Sequence, residues 1–69
     1  MPITWNGQRI KNLRTLTRHS QETFSKTVGV SRVTISNWES HLKTPSAKHQ
    51  SQLDKIAADA NITQRQLDK

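Results

Sequence analysis

Arg32, Val33, Ser36 and Asn37 stand at positions i, i+1, i+4 and i+5 of one short segment, a spacing that gathers all four on one side of a helix. Ile35 and Trp38 fall on the other side. The four side chains suit recognition of base-pair edges in a major groove. Arginine can grip O6 and N7 of guanine, asparagine N6 and N7 of adenine, and valine the methyl group of thymine, while Ser36 can bond to base or phosphate. Packing asks for none of them. Asparagine is a weak helix former, and an exposed valine gives up burial and helix propensity together. A thymine contact or a partner surface accounts for Val33 better than a face chosen for solubility does.

Catalytic chemistry finds no comparable pattern. His19, His41 and His49 do not stand at the i, i+4 interval of a helical metal pair, and no carboxylate accompanies them at a ligand spacing. The lack of cysteine removes a disulfide framework, a thiolate zinc site and a cysteine nucleophile together. Serine, histidine and aspartate are present, but without the glycine-flanked nucleophile turn, and there is no glycine-rich phosphate loop. The chain reads as a non-enzyme with no metal and no cofactor.

Charge points to a polyanion. The net charge is +6, and residues 1–48 hold all of the excess: Arg9, Lys11, Arg14, Arg18, Lys26, Arg32, Lys43 and Lys48 face only Glu22 and Glu39. Residues 49–69 are balanced. Such a one-sided field suits nucleic acid first, an acidic protein second and an anionic membrane third. The membrane fits poorly, because basic and apolar residues are divided among short, separately capped helices. No apolar run approaches a membrane span and the N-terminus lacks a secretory pattern, so a cytoplasmic protein is expected. At 69 residues with 30% hydrophobic content, one thin core in a single domain over 1–69 is the ceiling.

The elements that must position these residues can be read from caps and periodicity. Pro2 and Ile3-Thr4-Trp5 form a short N-terminal arm over 1–6, and Asn6 caps a first helix of about 7–18 with Ile10, Leu13 and Leu16 as its apolar stripe. Ser20 starts a second helix with Phe24 and Val28 buried, and Gly29 stops it in a left-handed turn. Ser31 opens the third helix, about 31–39, with Val30 as a staple. After Pro45, Ser46 caps a fourth helix carrying Leu53, Ile56, Ala57 and Ala60; Asn61 ends it, and Thr63 caps a last turn with Leu67. The expected fold is all-α, four to five short helices with a central helix-turn-helix at about 20–39 and C-terminal helices at about 46–69. Helix N-termini offer free amides to phosphate, which makes Ser20, Gln21, Ser31 and Ser46 candidate phosphate contacts, joined by Lys43 in the loop after the third helix.

From Gly7 to Leu67 the order and spacing resemble the lambda-repressor-like, Cro and Xre group of helix-turn-helix proteins. The resemblance is carried by Arg9-Ile10-Lys11-Asn12-Leu13-Arg14, by Ser20-Gln21-Glu22-Thr23-Phe24-Ser25, by the run from Val28 to Glu39, by Pro45, and by Leu53-Asp54-Lys55-Ile56-Ala57 with Asn61-Ile62-Thr63. It implies that Gln21 bonds phosphate and braces the reading helix. It also implies that Arg32, Val33 and Asn37 reach base edges, and that Arg14 and Glu39 form a structural salt bridge. Two departures concern loops: Arg18-His19 replaces a frequent Gly-Leu, and His41 stands where glycine is common.

The function so implied is a sequence-specific double-stranded DNA-binding transcriptional regulator of phage or prokaryotic type, a repressor or Cro-like switch. A single short helix offers little contact, so a weak homodimer completed on DNA is expected, with Ile62 and Leu67 exposed for it on the C-terminal third. The competing reading is a protein-interaction module acting on a partner regulator, antirepressor or antitoxin-like, anchored by Val33, Leu42 or the C-terminal apolar residues.

Overall fold

The computed structural model describes residues 3–68; Met1 and Pro2 of the expected arm lie outside them. Five helices follow one another, α1 (Gly7–Leu16), α2 (Gln21–Val28), α3 (Arg32–Glu39), α4 (Ala47–Asp59) and α5 (Gln64–Leu67), and no strand occurs among the described residues. The starts are set by local polar chemistry. Asn6, Ser20, Ser31 and Thr63 each accept from the backbone amide three residues on, and Thr63 shares a reciprocal capping box with Gln66. Ser46 is different. It precedes α4 but makes no backbone cap, because its hydroxyl is engaged with His49 Nδ1 at 3.0 Å.

Four helix ends share one device. The amides of His19, Val30, Leu42 and Ile62 each bond the carbonyl five residues back, at 2.8–3.0 Å, across a residue in left-handed conformation. Only Gly29 among those four pivot residues is glycine; the others are Arg18, His41 and Asn61. The first helix therefore closes in spite of Arg18, and His19 packs its ring on Phe24, centroids 6.0 Å apart. Arg18 carries the steric cost of a Cβ in this region. Arg18→Gly is expected to stabilise the fold by about 0.5–1 kcal/mol, visible as a rise of several degrees in the thermal midpoint.

The core comprises Trp5, Ile10, Leu13, Phe24, Val28, Ile35, Trp38, Leu53, Ala57 and Leu67. Leu16 departs from the expected stripe. It is 48% exposed as the last residue of α1, which ends two residues short of the predicted boundary. Ala60 likewise lies past the end of α4 and is exposed. Leu67, expected on a dimer surface, is fully buried, and Ile62 is half-buried against the core. The cause is long-range anchoring. Asn12 Nδ2 donates to the Leu67 carbonyl at 2.6 Å, and Arg9 grips Asp68 through Nε at 2.7 Å and Nη2 at 3.1 Å.

The described segment before α1 is also anchored. Residues 3–6 form no helix, but Trp5 is buried and its Nε1–H donates to Asp54 Oδ1 at 2.8 Å; the Ile3 amide reaches the same oxygen at 3.1 Å. Gly7, first residue of α1, presses on the end of α3. A Cβ there would collide with the Trp38 carbonyl oxygen and come within 2.9 Å of that of Glu39. This close approach seats the positive end of α1 over the last carbonyls of α3, a favourable alignment of partial charges.

Candidate nucleic-acid interface

α2 and α3 are joined by a turn at Gly29 and packed through Phe24, Val28, Ile35 and Trp38, all buried. This leaves one face of α3 outward. Arg32 and Val33 are exposed, Val33 at 64%, while Ser36 and Asn37 are half-buried. The pitch of α3 is held from behind by charge. Arg14 donates to Glu39 twice, Nε to Oε2 at 2.7 Å and Nη2 to Oε1 at 3.1 Å, and its Nη1 reaches the His19 carbonyl at 3.2 Å. Both partners are largely shielded, with side chains 17% and 7% exposed. Hydrogen bonding to Glu39 outweighs desolvation and, with the carboxylate's charge, raises the Arg14 pKa above its ordinary value. Gln21 Nε2 adds a long contact to Glu39 Oε1 at 3.4 Å, so one carboxylate ties α1 and α2 to α3.

In front of this brace lies an open cleft of ≈ 640 Å³ lined by Arg14, Ser20, Gln21, Glu22 and Arg32. A smaller recess of ≈ 140 Å³ continues from it along α3, lined by Gln21, Arg32, Val33 and Ser36. Five of the residues singled out from the sequence as DNA contacts therefore share one surface: Ser20, Gln21, Arg32, Val33 and Ser36. Ser20 caps α2 by accepting from the Thr23 amide at 3.1 Å, and Ser31 does the same for Thr34 at 3.2 Å. The first two amides of each helix have no intrahelical partner and can meet an anion.

Other candidates lie elsewhere. Lys43 is exposed beyond the C-terminal end of α3, in a separate recess with His41, Thr44 and Pro45. Ser46 is exposed at the start of α4 with its hydroxyl turned to His49, whose ring lies 5.4 Å from that of Trp38. Glu22 was not foreseen in the cleft. No local pattern marks it, because only the packing of α2 and α3 brings residues 22 and 32 to the walls of one cleft.

No helix among the described residues is long and apolar enough to cross a membrane. A family model described as helix-turn-helix matches residues 10–58, from the first turn of α1 almost to the end of α4. Neither the curated proteins nor the solved structures contain a match to the chain. The matched stretch covers more than half of the chain and includes the whole α2–turn–α3 unit with its bracing ion pair. The chain belongs to the Cro/C1-type helix-turn-helix family, whose members are DNA-binding regulatory domains.

Proposed function

We propose that the protein is a sequence-specific regulator of transcription of the phage or prokaryotic type, a repressor or Cro-like switch acting in the cytoplasm, with α3 seated in the major groove. Arg32, Val33, Ser36 and Asn37 read base edges. Ser20, Gln21, Ser31, Lys43 and Ser46 meet phosphates. The observation that carries this reading is the outward face of α3, where Arg32 and an exposed Val33 stand at an open cleft shared with Ser20 and Gln21 while the opposite face is locked by Arg14 and Glu39. Base-edge donors on a rigid helix beside free helix amides are the parts that specific recognition needs.

Two copies bind, one on each half-site. The described residues extend 26 × 22 × 21 Å, and half-sites lie about 34 Å apart, so neighbouring copies meet only through rim side chains. Such a homodimer is weak in solution and completed on DNA. Leu67 is committed to the core and takes no part in that contact, while Ile62 stays partly exposed on the C-terminal third.

Titration on random-sequence duplex and on the promoter region of its own gene, at low and physiological salt, tests the function. Tight promoter binding that survives physiological salt is expected, with random binding fading. Arg32→Ala or Asn37→Ala should relax preference at one base pair at a cost of about 1–3 kcal/mol, whereas Lys43→Ala should weaken all sequences alike and flatten the salt slope. Equal losses on every sequence for all three variants would remove the reading face. A second reading, a partner regulator protein, is favoured by the exposed Val33 and by Leu42, 74% exposed. Weak, salt-erased binding to both duplexes would select it.

A further inference from the structure

The turn between α1 and α2 carries a charged side chain where the backbone favours none. The left-handed residue is Gly29 after α2, His41 after α3 and Asn61 after α4, but Arg18 after α1. Glycine enters that region without strain, and asparagine and histidine are enriched there. Arginine has no such preference, and at φ 61° its Cβ carries a cost that glycine would avoid. No polar contact within the fold offsets it. The Arg18 side chain is exposed, and among the described residues it enters no hydrogen bond and no ion pair, not even with Glu22, the nearest acid in the sequence. Arg18 stands two residues before Ser20, the cap of α2, so at most about 7 Å of chain separates it from the start of that helix. An extended arginine side chain covers that distance. The cations on either side of it in the sequence are placed otherwise: Arg14 is committed to Glu39 and to the His19 carbonyl, and Lys26 lies in the last turn of α2.

We propose that Arg18 is a further binding residue of the DNA interface, its guanidinium meeting the phosphate backbone next to the contacts of Ser20 and Gln21. The inference rests on the docking proposed above, with the start of α2 against the DNA backbone. Ser20 and Gln21 are uncharged and can orient a phosphate through hydrogen bonds; a guanidinium adds a charge-assisted, two-pronged bond to it. Such a contact reads no base. It strengthens binding to every sequence alike and releases a counterion, so its signature is salt dependence and not selectivity. The strained turn then has a physical reason. A backbone outlier with no compensation inside the fold points to a role outside it, and an arginine here lowers the stability of the free protein while the DNA complex gains a bond.

The test compares wild type, Arg18→Gly and Arg18→Gln by fluorescence anisotropy on the promoter duplex and on random duplex across a salt series, with the thermal midpoint recorded for each protein. Arg18→Gly removes charge and Cβ together, whereas Arg18→Gln removes the charge and keeps the Cβ. Both variants are expected to bind each duplex about three- to tenfold more weakly at physiological salt, with the promoter-to-random ratio unchanged and the salt slope smaller by about 0.9. Only Arg18→Gly should melt higher than wild type. A protein that is more stable and binds more weakly cannot owe the loss to unfolding. Affinity and salt slope unmoved in both variants would leave the guanidinium idle. A loss confined to the promoter duplex would make Arg18 a base contact, and a loss confined to Arg18→Gly would trace to the backbone of the turn. Each of these three results overturns the assignment of Arg18. A wild-type protein that binds neither duplex would instead overturn the DNA docking beneath it, and that is seen before any variant is made.

Discussion

Glu39→Ala is expected to destabilise the protein by about 3 kcal/mol, the lower end of the range for breaking a buried pair because Arg14 retains some exposure. The guanidinium would keep its charge and its shielding while losing two hydrogen bonds at once. A domain of this length has a total stability of only about 3–10 kcal/mol, so the loss should move the urea midpoint far toward zero. Replacing both partners with apolar residues of similar volume, Arg14→Met with Glu39→Leu, should restore most of the stability. It should not restore DNA affinity to the same degree, because Gln21 would lose the carboxylate that links it to α3. A cost below about 1 kcal/mol for Glu39→Ala would mark the pair as an ordinary surface bridge.

Leu67→Ala should cost about 2–5 kcal/mol although it lies near the end of the chain in a helix of only four residues. Its side chain is fully buried against α1, and the bonds from Asn12 and Arg9 leave the neighbouring backbone little freedom to collapse into the cavity. Chemical denaturation measures the loss, and sedimentation at high concentration separates it from any effect on self-association. A leucine serving as a dimer contact would behave in the opposite way, with stability of the monomer unchanged and association weakened.

Those two outcomes also divide what a sequence can disclose from what it cannot. The helix starts at Asn6, Ser20 and Ser31 and the stop at Gly29 depend on residues within five positions of each other, and they are legible because the bonds are local. The outward face of α3 is legible for the same reason, since helical periodicity alone sorts Arg32 and Val33 from Ile35 and Trp38. Contacts between distant segments leave no such trace. Asp54 serves Ile3 and Trp5 across 51 and 49 positions, and Asn12 holds Leu67 across 55. Leu16 continues the apolar rhythm of Ile10 and Leu13, yet it ends the helix 48% exposed. Ser46 has the right type for a cap, but its hydroxyl goes to His49 three residues on. Glu22 belongs to the same class, an ordinary helix-start acid until the packing of two helices puts it in the wall of the cleft that Arg32 also lines.

The chain has two tryptophans and no tyrosine, and the indoles are buried at 5% and 3% exposure in different parts of the fold. Trp5 belongs to the segment before α1 that is fastened to α4, and Trp38 to α3, the helix proposed to face DNA. Intrinsic emission is therefore a built-in optical readout with two separate channels. In a Trp5→Phe protein all the light comes from the back of the reading helix, next to the His49 ring, and any shift in its colour or intensity on adding DNA reports how far α3 moves as it docks. With Trp38→Phe the remaining signal reports whether the N-terminal segment stays fastened while that happens.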